Sequence, residues 1–208
     1  MPAPKSPLVD RVVELRASLL EKDPHQLASL TAVELQTSEG QSGVFYFKYW
    51  GNPVLLPVKD YIACDANTEQ PLDVIHQAMI SYYFDTSQGS PAGERWISFS
   101  ELPDGQFYAS AFQGYTGKKL LSVFKTDYDR FLNRCREICG EETAFADGAF
   151  RFQILPRAAI LAVLWMGDEE FPPTYQILFE ENIPYHLPTD GCAILGSMLT
   201  GRLIQEPA

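Results

Sequence analysis

The chain has 208 residues, of which 46% are hydrophobic and 21% charged, a composition typical of a folded globular protein rather than a disordered one. Acidic residues number 27 against 16 lysines and arginines, and the resulting net charge of -11 repels nucleic-acid phosphates and anionic membrane surfaces. The longest apolar run is much shorter than the about 20 residues of a membrane-spanning helix, and no signal-peptide core is found. We therefore expect a cytoplasmic protein without nucleic-acid or membrane partners.

The N-terminal part of the chain is predicted to be helical over residues 1–31. Ser6 followed by Pro7 is a helix start, with serine as the cap and proline at the first helical position. Asp23 and Pro24 repeat this arrangement and predict a second, short helix, because a proline in the first turn has no N–H to leave unpaired.

Three strands and a further helix are predicted next. Glycine- and proline-marked turns separate three runs of β-branched and aromatic residues, which are 32–36, 44–49 and 54–58. Asn67–Pro71 is expected to open a helix, because apolar residues recur after it at helical spacing. That predicted apolar face carries Leu72, Ile75, His76, Met79, Ile80 and Tyr83.

A later helix is predicted to begin at the cap Thr126 and to end at Gly140. Cys135 and Cys139 are four residues apart and would share one face of it, too far apart for an easy disulfide. The C-x-x-C spacing of zinc and iron–sulfur sites is absent there. In a reducing compartment we expect all four cysteines to be free thiols.

The last third of the chain is predicted to form an antiparallel meander and a final helix. Short proline- and glycine-marked connections, too short for a crossover helix, separate the strands Ala149–Leu155, Ala158–Trp165 and Tyr175–Phe179. The second of these is apolar on both faces and should be central in its sheet. Thr189 is expected to cap a helix over Asp190–Leu203. Helices and strands do not alternate regularly, so we predict a single α+β domain with a mainly antiparallel sheet and helices packed on it.

Three stretches of the sequence together resemble a known family. The run from Leu164 to Pro172, which reads Leu-Trp-Met-Gly-Asp-Glu-Glu-Phe-Pro, is the most specific. It ends a stretch that starts at Leu155-Pro156-Arg157, and the other two matching stretches are 96–103 and 185–190. The chain resembles the prokaryotic domain of unknown function number 3786 over essentially its whole length. The resemblance implies a recurrent fold and brings no assigned activity, cofactor or partner.

The acidic turn Asp168, Glu169 and Glu170 is a candidate site because three carboxylates follow a buried strand. Such a turn can bind a hard cation or, with one carboxylate desolvated, perform acid–base chemistry. Charges at a strand end also serve simply to prevent edge pairing, and the acidic turn itself has no D-x-D or EF-hand pattern.

A second candidate site comprises His186, Thr189 and Gly191 at the predicted start of the last helix, and Asp190 in the same segment is a further candidate ligand-binding residue. The free N–H groups of a helix N-terminus attract anions, so a carboxylate or phosphate could bind there. The alternative is a histidine that only packs and hydrogen-bonds. We predict that the acidic turn and the segment 185–190 lie at the same edge of the domain.

Two classes of function stay open on the sequence alone. The first is a binding or accessory protein that engages a small-molecule ligand or a basic protein partner. The uneven charge and the aromatic residues Phe107, Tyr108, Phe112 and Tyr115 favour it. The alternative is a metal-dependent or acid–base enzyme that uses Asp168–Glu170 and His186. No nucleophile–base pair and no common cofactor motif is present, so we favour the binding role and identify no cofactor.

Overall fold

The computed structural model describes residues 7–38, 40 and 42–205, and the expected cap Ser6 lies outside these residues. Its helices and two antiparallel sheets confirm the predicted α+β class. Contacts group the chain into two compact units. The first unit contains the residues up to Pro91 with Ile154–Ala158 and Tyr185–Pro188. The second contains Ala92–Gln153, Ala159–Pro184 and the residues from Thr189 onward. The single-domain organisation stays a prediction.

The helices of the first unit begin with α1 (Pro7–Leu20) and α2 (Pro24–Thr31), both as predicted. The Asp23 carboxylate accepts hydrogen bonds from the backbone N–H groups of His25 and Gln26, at 2.7 and 3.3 Å, and so caps α2. On α1 the residues at helical spacing are buried, namely Val12, Leu15 and Leu19. This apolar stripe packs α1 onto the rest of its unit.

A four-stranded antiparallel sheet completes the first unit. Its strands are paired in chain order: β1 (Glu34–Gln36), β2 (Val44–Tyr49), β3 (Asn52–Pro57) and β4 (Cys64–Asp65). Trp50 and Gly51 form the two-residue turn between β2 and β3, with φ angles of 52° and 77°. Two positive φ angles give the turn whose twist suits a hairpin, which explains the glycine in it.

The third helix, α3 (Val74–Thr86), begins later than the sequence predicted. The Asp65 carboxylate accepts hydrogen bonds from the N–H groups of Asn67 and Thr68, at 2.8 and 2.9 Å. The expected helix opening at Asn67–Pro71 is wrong because these bonds hold the segment in a turn beside β4. The helix is instead capped by Asp73, whose carboxylate accepts from the N–H of His76 at 3.2 Å.

The second sheet has five strands in the order β5-β9-β8-β7-β6 and confirms the predicted meander. Its strands are β5 (Trp96–Ile97), β6 (Glu141–Glu142), β7 (Gly148–Leu155), β8 (Ala158–Trp165) and β9 (Thr174–Glu180). Strand β8 is central as expected, and its residues Leu161 and Val163 are fully buried. They pack with Ala149 and Leu178 in one apolar cluster.

The helices of the second unit are α4 (Ala109–Tyr115), α5 (Gly117–Phe124), α6 (Tyr128–Glu137) and α7 (Thr189–Ile204). Two short 3-10 turns, Phe99–Glu101 and Gly105–Phe107, precede α4, and a third, Ile183–Tyr185, precedes α7. No helix among the described residues is long and apolar enough to cross a membrane.

Two predictions about helix α6 (Tyr128–Glu137) are wrong. Its cap is Asp127, whose carboxylate accepts from the N–H of Arg130 at 3.2 Å, and not the neighbouring Thr126. The helix ends at Glu137, so Cys139 lies beyond it with a φ of 62° and does not share a helical face with Cys135. Cys135 is buried, Cys139 is exposed, and all four cysteines of the chain are free thiols.

Candidate functional site

The acidic turn lies in the loop that joins β8 to β9, and we call residues 165–173 the hairpin tip. The Asp168 carboxylate accepts hydrogen bonds from the N–H groups of Glu170 and Phe171, both at 2.8 Å, and the Asp168 N–H donates to the Phe171 carbonyl at 2.9 Å. These backbone donors lower the pKa of Asp168, because they stabilise the charged form. The turn is therefore held in one conformation by its own first carboxylate.

Contacts from outside the loop hold the start of the hairpin tip. The Met166 N–H donates to the Asp147 carboxylate at 2.8 Å, and the Gly167 N–H donates to the Tyr128 hydroxyl at 3.3 Å. A Cβ atom at Gly167 would come within 2.7 Å of the Phe171 carbonyl oxygen, so glycine is required there. Glu169 and Glu170 are exposed.

Large exposed apolar side chains precede and follow the carboxylates in the hairpin tip. Phe171 is 67% exposed and Trp165 is 41% exposed, and Met166 between them is exposed as well. Phe145 adds a fourth exposed apolar group, with its ring 6.3 Å from that of Trp165. Single exposed hydrophobic residues are common, but several together with carboxylates mark an interaction surface.

His186 is fully buried in the first unit, whereas the acidic turn, Thr189 and Asp190 belong to the second. Its Nε2 lies 2.9 Å from the Ser90 carbonyl oxygen and its Nδ1 lies 3.2 Å from the Ser87 hydroxyl. A carbonyl can only accept, so Nε2 carries the proton and Nδ1 accepts from Ser87. Burial lowers the pKa of His186, and the charge of Arg157 contributes to that shift, so the neutral ring is favoured.

Further hydrogen bonds link Tyr83 to the surroundings of His186. The Tyr83 hydroxyl donates to the Thr31 carbonyl at 2.6 Å and accepts from the Arg157 N–H at 3.0 Å. The Arg157 guanidinium donates to the Ser90 carbonyl at 3.1 Å, the same oxygen that His186 contacts. Burial also raises the pKa of Tyr83. Both nitrogens of His186 are thus used within the fold, the arrangement of a packing histidine, and its part in a ligand site stays a prediction.

Thr189 and Asp190 line a groove of about 230 Å³ in the second unit. Thr189 is the first residue of α7, and its hydroxyl donates to the Pro103 carbonyl at 2.6 Å, so it does not cap the helix as predicted. Tyr108 and Tyr115 of the predicted aromatic segment also line the groove. Phe112 does not, because it is buried and stacked on Phe99 with ring centroids 4.2 Å apart.

The sequence did not identify four other residues of this groove, namely Phe99, Asp104, Ala111 and Ala193. Ala111 and Ala193 have no distinctive side chain, so no sequence signal marks them. Asp104 lies in a Pro-Asp-Gly stretch that reads as an ordinary turn. Among the described residues, no group of three or more His, Cys, Asp and Glu side chains is arranged to hold a metal ion.

Residues 23–202 match the model of the family described as Domain of unknown function (DUF3786). The match covers most of the chain, so the protein belongs to this family, and the resemblance of its three sequence stretches is confirmed. Helix α1 precedes the matched region. Neither the curated proteins nor the solved structures contain a match to the chain.

Proposed function

We propose that this member of the DUF3786 family is a binding or accessory protein that engages a basic segment of a partner protein through its hairpin tip. The observation that carries the proposal is the exposure of Trp165, Met166 and Phe171 next to three carboxylates, on a turn closed by hydrogen bonds to Asp168. Aromatic residues at the centre of a surface and charges around them are the usual anatomy of a protein interface.

The apolar side chains would supply most of the binding free energy. Covering one large apolar side chain contributes on the order of 1.5–3 kcal/mol, and Phe171 has most of its surface available for this. Aromatic residues often dominate the energetics of an interface. Because Asp168 already fixes the turn, binding would order few additional groups, which reduces the entropic cost of association.

The carboxylates would select the charge of the partner. Among the described residues, none of Asp168, Glu169 and Glu170 forms an ion pair within the chain. The stretch 141–190 contains nine acidic residues and two arginines, and one of these acids, Asp147, accepts a hydrogen bond from the Met166 N–H at the tip. Complementary charge accelerates association and excludes acidic partners, and the effect weakens as salt increases.

The same geometry supports binding over the enzymatic alternative. One oxygen of Asp168 already accepts two backbone N–H groups, and both ring nitrogens of His186 are engaged. General acid–base chemistry needs a group that is free to exchange a proton with a substrate. Glu169 and Glu170 are free of such contacts, but exposed carboxylates are more effective as charges than as tuned catalysts.

A labelled amphipathic peptide of lysine and leucine tests the proposal by fluorescence anisotropy. We expect saturable binding that weakens about ten-fold in Phe171→Ser and in Glu169→Gln with Glu170→Gln. The matched control is Glu21→Gln with Glu34→Gln, which removes the same charge from exposed positions in the first unit.

Two results would contradict this role. One is equal binding of a peptide in which glutamate replaces every lysine. The other is unchanged affinity in the Phe171→Ser variant, with circular dichroism showing that the variant is folded. Loss of binding in the control variant would mean that the peptide responds only to the overall negative charge.

A further inference from the structure

The groove that contains Thr189 and Asp190 has an aromatic wall. It lies between α4 and the first turn of α7, and its lining includes Phe99, Tyr108 and Tyr115. Phe99 is buried and packed against Phe112, so it forms a fixed floor. Tyr108 is 69% exposed and Tyr115 is 42% exposed, so both have ring surface available to a bound molecule.

Small residues leave the groove open. Ala111 of α4 and Ala193 of α7 contribute only methyl groups to its lining. Tyr115 is held by an edge-to-face contact with Phe112, whose ring centroid is 5.6 Å away. Burial raises the pKa of Tyr115, which agrees with a partly desolvated position. A volume of about 230 Å³ is below the roughly 300–1,000 Å³ of sites for drug-sized ligands, so a compact group fits better.

Two acidic residues belong to the lining of this groove. Asp104 and Asp190 both line the groove, and both are exposed. Neither has an ion pair or side-chain hydrogen bond elsewhere in the described part of the chain. The other polar group, the Thr189 hydroxyl, already donates to the Pro103 carbonyl. The groove is therefore apolar at its wall and negatively charged at its rim.

We propose that this groove binds a small organic cation, an alkylammonium group with apolar substituents. Aromatic faces attract such cations, and the attraction grows when the cation sheds its water. A strongly hydrated inorganic cation would not benefit from the aromatic wall. Asp190 lies in the first turn of α7, so its own carboxylate meets the N–H groups that would otherwise attract an anion, and Asp104 adds a second negative charge. The carboxylates at the rim would add no binding free energy for a neutral apolar molecule.

This site is separate from the proposed docking role of the hairpin tip, because the two share no residue. A cation here could be bound whether or not a basic protein binds there. Binding of a small cation to the groove can therefore be measured without any protein partner.

A pair of probes that differ only in charge tests the cation requirement. Choline and 3,3-dimethylbutan-1-ol have the same shape, but only choline carries a positive nitrogen. We expect choline to shift the NMR signals of Tyr108, Ala111 and Ala193 saturably, with an affinity about ten-fold higher than that of the neutral alcohol.

Variants of exposed groove residues separate the roles of ring and charge. Tyr108→Leu and the pair Asp104→Asn with Asp190→Asn should each weaken choline binding several-fold, and Tyr115→Phe, which keeps the ring, should not. Amide spectra would verify that each variant is folded. Equal affinity for the two probes, unchanged affinity in the folded variants, or no saturable shift at these residues would overturn the proposal.

Discussion

The hairpin tip and the segment 185–188 both carry residues that the sequence marks as candidate site residues, but the structure uses them in opposite ways. His186 is fully buried with both nitrogens engaged, whereas Glu169 and Glu170 are exposed and make no ion pair among the described residues. The difference shows that the type of an ionisable residue says little about its availability, which depends on the partners that the fold places around it. Asp168 is intermediate, because its side chain is exposed and also organises its own turn.

The largest loss of stability is expected for a substitution in β8, the buried strand that leads to the hairpin tip. Leu161→Asp places a carboxylate in the fully buried cluster with Val163 and Leu178, and should cost more than about 4 kcal/mol and unfold the protein. Circular dichroism would measure the loss of structure. The control Phe171→Asp, at an exposed position in the tip, should remain folded. A folded Leu161→Asp variant would show that β8 is not the central strand.

Removing the buried histidine should have the next largest effect. His186→Ala removes one of the two donors to the Ser90 carbonyl and the partner of the Ser87 hydroxyl, and it creates a cavity, so we expect a loss of about 2–4 kcal/mol. Urea denaturation would measure it. Glu169→Ala, at an exposed position, should change stability by less than about 0.5 kcal/mol. Equal effects of the two substitutions would contradict the contrast between the two regions.

The pH dependence of stability should distinguish the same two regions. The folded pKa of His186 is lowered below its usual value of 6.5, so the unfolded chain binds a proton first as pH falls. The contribution of His186 to the free energy of unfolding is therefore fully present above about pH 6.5. As the pH falls below that value, the contribution decreases by up to about 1.4 kcal/mol per pH unit. Asp168, whose pKa is lowered from 3.8, loses its contribution only in stronger acid.

Denaturation curves at several pH values between 5 and 7.5 would show this loss in the unmodified protein. His186→Gln should be less stable overall, with a flatter dependence between these limits. A steep loss that persists in His186→Gln would assign the proton uptake to other groups.

The smallest loss of stability is expected for substitutions in the acidic turn, residues 168–170. Asp168→Ala removes an acceptor of two backbone N–H groups and should cost about 1 kcal/mol, whereas Asp168→Asn keeps an acceptor oxygen and should cost less. Replacing Asp168, Glu169 and Glu170 together by alanine should therefore lower Tm only slightly while abolishing peptide binding. If the triple variant unfolds, the carboxylates are structural and the docking surface is not there.

Patterns that depend on neighbouring residues were predictable from the sequence. The meander of β7, β8 and β9 follows from short connections and apolar runs, and the Asp23-Pro24 start of α2 was recognised with its cap. The later start of α3 was missed because Asp65 competes for the N–H groups of Asn67 and Thr68. Such local competition between a side chain and a helix is not visible in apolar periodicity.

The sequence by itself determined the α+β class, the family and the acidic, aromatic character of the surface, because composition, periodicity and motifs are properties of the chain. The tertiary structure decided which of the marked residues are available. It placed His186 among Ser87, Ser90 and Tyr83, and it brought Asp104, about 85 residues earlier in the chain, to the same groove as Asp190. Burial and the meeting of distant segments arise only when the chain packs, and these two factors separate a buried histidine from a binding residue.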